Sequence, residues 1–322
     1  MSERLIRACR GCLRRNLGLR ANEKVAIVTD EALLEVAHAF EIAAREITGD
    51  VIVFEIAGSR DHGEEPPDEA ARGMAESDVV VAPLSRSISW TRARARATRA
   101  GTRVASLPEV TEGILLRSGE ADYDRIRERV NRLADLLDAG DEVRIRTEAG
   151  TALTLSIAGR EAHGRKGGIY REPGHWGNLP CGEAFIAPLE GTAQGVYLVD
   201  ASQTGVGRVE VPIRIGVQEG RATAIRGGKE AERLRAMLEG AGSPLAFNVA
   251  ELGIGCNDAA RLSGITLEDE KVLGTCHIAL GSNEFFGGAV RAGLHLDGVI
   301  RAPTILVNGK VVVEAGKMRA GG

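Results

Sequence analysis

Short apolar runs alternate with helical patterns over the first third of the chain. Four runs rich in Val, Ile and Ala are predicted to be strands: 24–28, 51–54, 78–82 and 102–106. Helical spacing of apolar residues lies between them, most clearly over 31–47. Buried strands separated by helices are typical of a parallel sheet covered on both faces. The pattern therefore predicts an open, doubly wound α/β domain over residues 1–115. No G-x-G-x-x-G follows the first strand, so a dinucleotide is not its expected ligand.

A different pattern begins after an amphipathic helix predicted over residues 122–139. Apolar and polar residues then alternate, as in 143–147 and 152–157, which is typical of half-buried antiparallel strands. A hairpin is predicted over 305–313, where Asn308-Gly309 forms the turn. Residues 116–322 are therefore predicted to form a β-rich α+β domain.

Composition narrows the function classes. The chain is 43% hydrophobic and 27% charged, which is typical of a globular protein with a large core. Its formal net charge of −4 predicts no general attraction to nucleic acid or to an anionic membrane. Neither a secretory signal nor a run of roughly 18 apolar residues is visible, so a cytoplasmic protein with a small-molecule or peptide substrate is expected.

Two histidines and an aspartate near the C-terminus suggest a metal site. His295 and Asp297 are two residues apart in a predicted strand, so their side chains point to the same face. In the preceding predicted strand, Cys276, Ile278 and Leu280 share the apolar face and leave His277 on the other. Imidazole and carboxylate groups on neighbouring strands can hold zinc, cobalt, manganese or ferrous iron.

Two glutamates stand in unusually apolar surroundings. Glu183 lies between a Pro/Gly turn and an apolar run, and Glu251 lies within an apolar strand. Burying a carboxylate is costly unless it is paired or binds a metal. Each glutamate is therefore either a metal ligand or the partner of an arginine.

Four sequence blocks resemble the aminopeptidase T and aminopeptidase S metallopeptidases, the thermophilic, leucyl aminopeptidase-like family. In chain order the blocks are N-L-P-C-G-E-A-F-I-A-P from Asn178, A-E-L-G-I-G from Ala250, H-I-A-L-G from His277, and H-x-D from His295. The resemblance is close from about residue 159 onward and extends to the first half in layout only.

This resemblance implies a metallo-aminopeptidase that removes N-terminal residues from small peptides with a metal-activated water. It implies two divalent ions, zinc, cobalt or manganese, and a homodimer. The implied ligands are Glu183, Glu251, His277, His295 and Asp297, and one of the two glutamates would bridge the ions or act as base.

Two further residues are possible ligands or substrate contacts. Glu284 stands where the peptidases have a tyrosine, seven residues after His277, and His175 lies in a loop predicted to reach over the pocket. The segment between His277 and His295 is also short for a peptidase. These departures bear on the substrate and on the number of metal ions.

Two alternatives stay open. Two histidines and one carboxylate also describe the facial triad of mononuclear Fe(II) oxygenases, and the same superfamily includes a ring-cleaving dioxygenase for dihydroxypyridines. The presence of both glutamates favours hydrolysis, because one iron ion does not require them. A metal-binding protein without catalytic activity is the other alternative.

Overall fold

The computed structural model describes residues 2–59 and 62–319. It divides into two compact units. The first comprises the residues up to Asp124 together with Gly168–Cys181, and the second comprises Arg125–Gly167 and the chain from Gly182 onward. The predicted division into domains 1–115 and 116–322 stays a prediction.

Eight α-helices lie within the described residues 2–59 and 62–319: α1 Glu3–Gly11, α2 Leu34–Arg45, α3 Asp68–Ala75, α4 Arg92–Arg99, α5 Glu112–Glu120, α6 Tyr123–Asp138, α7 Lys229–Gly240 and α8 Thr266–Asp269. Three short 3₁₀ turns span Glu31–Leu33, Pro244–Phe247 and Glu284–Phe286, and a π-helical turn, Cys12–Asn16, continues α1. Every helix in this part of the chain is too short or too polar to cross a lipid bilayer.

The same described residues form nineteen strands: β1 Val25–Thr29, β2 Val51–Glu55, β3 Val79–Leu84, β4 Arg103–Pro108, β5 Glu142–Arg146, β6 Ala152–Ser156, β7 Trp176–Asn178, β8 Glu183–Ile186, β9 Gln194–Val199, β10 Ser202–Gln203, β11 Gly207–Arg208, β12 Ile213–Gln218, β13 Arg221–Arg226, β14 Val249–Gly255, β15 Cys276–Gly281, β16 His295–Ile300, β17 Thr304–Val307, β18 Lys310–Glu314 and β19 Lys317–Met318.

A five-stranded parallel sheet forms the centre of the first unit, in the order β2-β1-β3-β4-β7. Strands β1, β3 and β4 are buried along their whole length, as expected for a sheet with helices on both faces. Their core includes Val28, Met74, Ile88 and Val104, and burying a side chain of this size stabilises the fold by about 1.5–3 kcal/mol. Strand β2 is less buried than the predicted coverage of the sheet on both faces implies. It is an edge strand with only one neighbour, and Ile52 and Val53 stay partly exposed.

Antiparallel sheets form the second unit. One has six strands in the order β11-β10-β16-β15-β14-β8, and the other has eight in the order β13-β12-β9-β6-β5-β17-β18-β19. The hairpin β17–β18 turns through Asn308 and Gly309, both of which have positive φ, as the predicted Asn-Gly turn requires. The apolar stripe of α6 is buried. The predicted fold class, an α/β first half followed by a β-rich second half, is confirmed.

Candidate metal centre

One face of the six-stranded sheet gathers the predicted ligands. Residues directly opposite each other in an antiparallel pair point to the same face. Ala279 lies opposite both Glu251 and Asp297, and Gly281 lies opposite His295. His277 and Glu183 share this face because they lie opposite alternate residues of β14, which are Gly253 and Gly255. Strands β8, β14, β15 and β16 therefore bring five residues together that are far apart in sequence: Glu183, Glu251, His277, His295 and Asp297.

Small residues between the ligands leave room for the imidazole of His277. A Cβ atom added at Gly253 would lie 2.1 Å from both Cε1 and Nε2 of His277. No real side chain tolerates that approach, so the ring occupies the space that a side chain at position 253 would fill. The motif A-E-L-G-I-G thus places a carboxylate at 251 and an empty position at 253.

The carboxylate of Glu251 lies between the two imidazoles. Its Oε1 is 3.1 Å from Nε2 of His277, and its Oε2 is 3.3 Å from Nε2 of His295. Asp297 Oδ1 is 3.2 Å from the same His295 nitrogen. His295 Nδ1 lies 2.8 Å from the carbonyl oxygen of Ser282, to which it can donate. A proton on Nδ1 leaves the lone pair of Nε2 directed at the carboxylates, which is the arrangement that a metal-binding histidine needs.

Two groups of ligand atoms lie side by side on this face. Glu251, His295 and Asp297 form one, and Glu183, Glu270 and His277 form the other; within each group the atoms lie within 4.8 Å of one another. Glu183 Oε2 is buried, 3.6 Å from His277 Nε2, and has no hydrogen-bond partner among the described residues. A buried carboxylate oxygen without a partner beside imidazole nitrogens fits a divalent metal ion. The donor set therefore fits such an ion.

The electrostatics of the cluster follow from burial and from mutual contact. Burial disfavours the charged form of every member. It would raise the pKa of Glu251 and of Asp297, but hydrogen bonds and charge from the histidines lower both. Burial would lower the pKa of His277, but the carboxylates of Glu251, Glu183 and Glu270 raise it to about 9.

The pKa values of His295 and Glu270 are raised, as is that of His277. The carboxylates of Asp297 and Glu251 overcome burial and raise the pKa of His295. Burial raises the pKa of Glu270 to about 8. Without a metal, the cluster is thus held by imidazolium–carboxylate pairs, and an ion that binds there must displace those protons.

Neither of the two additional residues predicted at the site belongs to these groups. Glu284 lies in a 3₁₀ turn and pairs with Arg291, the nearest atoms being 3.4 Å apart. His175 belongs to the first unit, where its carbonyl oxygen accepts from the N–H of Val104 beside β7. Trp176 starts β7 and pairs with β4, whereas the sequence analysis assigned this segment to a loop.

Sequence analysis missed two charged members of the site, Glu270 and Lys271. They end the run Glu268-Asp269-Glu270-Lys271, whose charge density favours an exposed loop, yet all four residues are buried. Glu268 and Asp269 accept hydrogen bonds from backbone N–H groups of their own loop, at Arg261 and Gly264. No signal in the residues alone distinguishes such a run from a solvated one.

An aromatic wall, Phe185, Phe286 and His163, borders the cluster and was also missed. Phe185 is two residues after Glu183 and shares its face of the sheet. The ring centroid of Phe286 lies 5.6 Å from that of Phe185 and 5.7 Å from that of His295, both edge-on. His163 packs against both phenylalanines. The cluster therefore has an apolar, aromatic side against which a flat ring can lie.

Comparison with known proteins identifies the family. Residues 4–320 match the model of the NicX family, 2,5-dihydroxypyridine 5,6-dioxygenase. The chain belongs to that family. The 2,5-dihydroxypyridine 5,6-dioxygenase of Pseudomonas putida is 26% identical over 268 residues, which cover 78% of this chain and 73% of that protein.

Two solved structures share the fold of this NicX-family chain. The 2,5-dihydroxypyridine dioxygenase from Pseudomonas putida superimposes with a TM-score of 0.82 at 22% identity, over 98% of this chain and 97% of that one. AmpT from Thermus thermophilus superimposes with a TM-score of 0.70 at 18% identity, over 98% of this chain and 99% of that one.

These findings correct the sequence analysis. The assignment to the aminopeptidase family was wrong, and with it the predicted hydrolase, aminopeptidase and protease activity, because the NicX family model matches almost the whole chain. The four motif blocks build the strands that carry the ligands, and AmpT has the same fold. Blocks of this kind identify a scaffold and do not identify the reaction. The family supports the alternative reading, an enzyme of the dioxygenase class.

Proposed function

We propose that the protein is a ferrous-iron-dependent dioxygenase that opens the ring of a dihydroxylated pyridine. The observation that carries the proposal is the family match over residues 4–320, together with the carboxylate of Glu251 between two imidazoles, beside an aromatic wall. The reaction joins one dihydroxypyridine and one O₂, and both oxygen atoms enter the ring-opened product. It therefore balances without an external reductant.

His277, His295 and Asp297 would hold the iron, because two imidazoles and one carboxylate are the usual ligands of mononuclear ferrous oxygenases. Such an ion would supply the chemistry that lets O₂ react with a bound aromatic diol. Glu251 touches both imidazoles and stays charged, since its pKa is lowered by the histidines against the effect of burial. It is thus placed to accept a proton from a substrate hydroxyl group.

The aromatic wall would orient the substrate. Phe185 and Phe286 offer one apolar side, while Glu251 and Asp297 offer charged acceptors on the other. A flat heteroaromatic diol has a matching apolar face and polar edge. Glu251 and His277 are buried, whereas His295 and Asp297 are partly exposed, so the open side of the cluster lies at these two residues. Self-association, which the resemblance to peptidases implied, stays a prediction.

Oxygen uptake tests the proposal directly. The metal-free protein is loaded with Fe²⁺ under nitrogen, and O₂ consumption is followed with 2,5-dihydroxypyridine as substrate. We expect one O₂ per ring consumed, and loss of turnover by about 100-fold or more in Asp297→Asn, because that variant removes an anionic ligand. Asp258→Asn is the matched control: Asp258 pairs with Arg129 outside the candidate ligand groups, so turnover should not change.

Assays on peptides test whether the protein is a hydrolase instead. Amino-acid anilides and dipeptides are offered to the protein loaded with Zn²⁺ or Co²⁺. Hydrolysis of these substrates, with no oxygen uptake on any dihydroxypyridine, would overturn the proposed dioxygenase function.

A further inference from the structure

A buried lysine lies inside the carboxylate cluster. The ammonium Nζ of Lys271 is 2.5 Å from Glu183 Oε1 and is also paired with Glu270 Oε1. Only 2% of the Lys271 side chain is exposed. Lysine is almost never buried unless it is paired, because removing an ammonium from water is costly. Its position therefore calls for an explanation in terms of the carboxylates that it contacts.

Those two carboxylates belong to the second candidate ligand group. Glu183, Glu270 and His277 lie close enough to hold a divalent ion, and His277, which is proposed above as an iron ligand, links the two groups through its 3.1 Å contact with Glu251. The groups that a second ion would add are therefore Glu183 and Glu270. Two adjacent carboxylate–histidine groups are the usual arrangement of a two-metal site. In this protein, however, one oxygen of each carboxylate in the second group is already bound to the ammonium.

The ammonium and a metal ion compete for the same place. A divalent ion bound by Glu183 and Glu270 would have to lie next to the positive charge of Lys271, and like charges at contact distance in a buried site repel strongly. The lysine is held there by its burial and by its contacts with Glu183 on β8 and with the neighbouring Glu270. The group Glu251, His295 and Asp297 has no such neighbour among the hydrogen bonds and ion pairs of the described residues.

We infer that Lys271 is a specificity-determining residue that supplies the second positive charge of the site and so keeps a second metal ion out. Glu183 and Glu270 are then retained as partners of this ammonium, which accounts for both glutamates in an enzyme with one ion. The inference deepens the proposed function, on which it rests for the identity of that ion. Removing the charge should turn the second group into a metal site.

Metal stoichiometry tests the inference without any activity assay. The purified full-length chain is stripped with chelator, equilibrated with Mn²⁺ alone, freed of unbound ion, and analysed for manganese per chain. We expect about one equivalent in the wild type and about two in Lys271→Ala, in which both carboxylates are freed. Electron paramagnetic resonance of the variant should then show two coupled Mn²⁺ ions in place of one isolated ion.

Three control variants sharpen the comparison. Lys271→Arg keeps the charge and should bind about one equivalent. Lys271→Ala combined with Glu270→Gln removes a ligand of the new site and should return to about one equivalent. Lys229→Ala removes an exposed lysine that pairs with Glu210, and its stoichiometry should equal that of the wild type.

Several outcomes overturn the inference. They are two equivalents in the wild type, one equivalent in a folded Lys271→Ala, and loss of all metal from that variant. If the alanine variant does not fold, it is replaced by Lys271→Met, which keeps the length and apolar stem of the side chain. Two manganese ions per wild-type chain would contradict the inference without any variant. If the wild-type protein binds one ion but takes up no oxygen, the proposed function is contradicted and the role of Lys271 is not. If it binds two ions and takes up oxygen, the role of Lys271 is contradicted and the proposed function is not.

Discussion

Gly253 is important for the candidate metal centre because it has no side chain. Its position on β14 is directly opposite His277, and the imidazole fills the space above it. The neighbouring small residues Ala279 and Gly281 lie opposite Asp297 and His295 in the same way. Large ligating side chains thus alternate with small residues across the strands, and this alternation gives the ligating side chains room on the sheet face.

We predict that Gly253→Ala weakens metal binding. The added Cβ atom would lie 2.1 Å from the imidazole of His277, so the ring must move away from Glu251. Displacing a ligand in this way typically lowers metal affinity by about 10–100-fold. The measurement is competitive titration of Mn²⁺ against a chelator, with circular dichroism to confirm the fold.

Gly216→Ala is the matched control for this change. Gly216 also lies within a strand, but a Cβ atom there would be 3.5 Å from the nearest atom, the Cβ of Ala224, which is ordinary contact. The control should keep wild-type affinity. Equal affinity in both variants would show that His277 does not need the space above Gly253.

The five residues predicted from the sequence as ligands lie together in the structure, and their role as ligands stays a prediction. A charge in an apolar strand, as at Glu251, and a two-residue spacing, as at His295 and Asp297, both have a direct physical meaning. Lys271 carries no such sign, because its burial depends on carboxylates that are distant in the chain. The expectation that Glu183 and Glu251 together imply hydrolysis was wrong, because the family match supports a dioxygenase. For Glu183, no sign of its partner Lys271 is visible in the sequence.

At the scale of elements, a loop held by one glutamate positions the aromatic wall. Glu190 accepts hydrogen bonds from the side-chain amide of Asn283 and from the N–H of Ala289, each at 2.9 Å, and it pairs with Arg160. Burial opposes the charge of Glu190, but these partners lower its pKa. Phe286 lies between the two bonded residues and touches His295 edge-on. The carboxylate therefore fixes the segment that carries the wall.

We predict that Glu190→Ala raises KM for the dihydroxypyridine by about tenfold, which corresponds to about 1.4 kcal/mol of binding. Without the acceptor, residues 283–289 lose two hydrogen bonds to position 190, and Phe286 is no longer held beside His295. The metal content should not change, because Glu190 is outside both ligand groups. Steady-state kinetics of the iron-loaded variant, with elemental analysis of the same sample, gives both values.

Glu210→Ala serves as control for this loop, since Glu210 forms an exposed pair with Lys229. Glu190→Gln should lie between wild type and alanine, because an amide oxygen still accepts from Ala289 but carries no charge for Arg160. An unchanged KM in Glu190→Ala, or loss of metal from it, would contradict the role assigned to this loop.

Elements were predictable where burial produces periodicity. The four parallel strands β1 to β4 appear as apolar runs, because β1, β3 and β4 are covered on both faces. The helix α6 and the hairpin β17–β18 also follow from local pattern. Strand β7 could not be predicted, since three residues have no periodicity and its pairing with β4 is made by a segment far along the chain.

At the scale of the whole molecule, the fold alone does not assign the reaction. The chain superimposes on a dihydroxypyridine dioxygenase and on AmpT, with TM-scores of 0.82 and 0.70. The strands that bring the ligands together define the scaffold, so motifs on those strands recur with it. Lys271 and the aromatic wall lie beside these ligands, so they are the residues whose effect on the reaction should be tested first.

Metal binding should also reverse the pH dependence of the stability of the molecule. In the metal-free fold, His277 has a pKa of about 9, above the ordinary value of 6.5, and Glu270 has a pKa of about 8, above 4.5. A raised pKa means that the folded state holds the proton more tightly than the unfolded state. The His277 contribution is therefore complete below pH 6.5 and is lost as the pH rises to about 9.

The free energy of unfolding of the metal-free protein should thus fall between pH 6.5 and 9, on the order of 3 kcal/mol from His277. With Mn²⁺ at a fixed concentration it should rise over the same range, because a metal ion binds neutral imidazoles and competes with protons. Denaturant unfolding at several pH values, with and without the ion, measures both slopes. In His277→Gln, the metal-free slope between pH 8 and 9 should become shallower, since the titration of the imidazole is removed. If the metal-free and Mn²⁺-bound proteins show slopes of the same sign, the protons on this cluster are not the ones that the metal displaces.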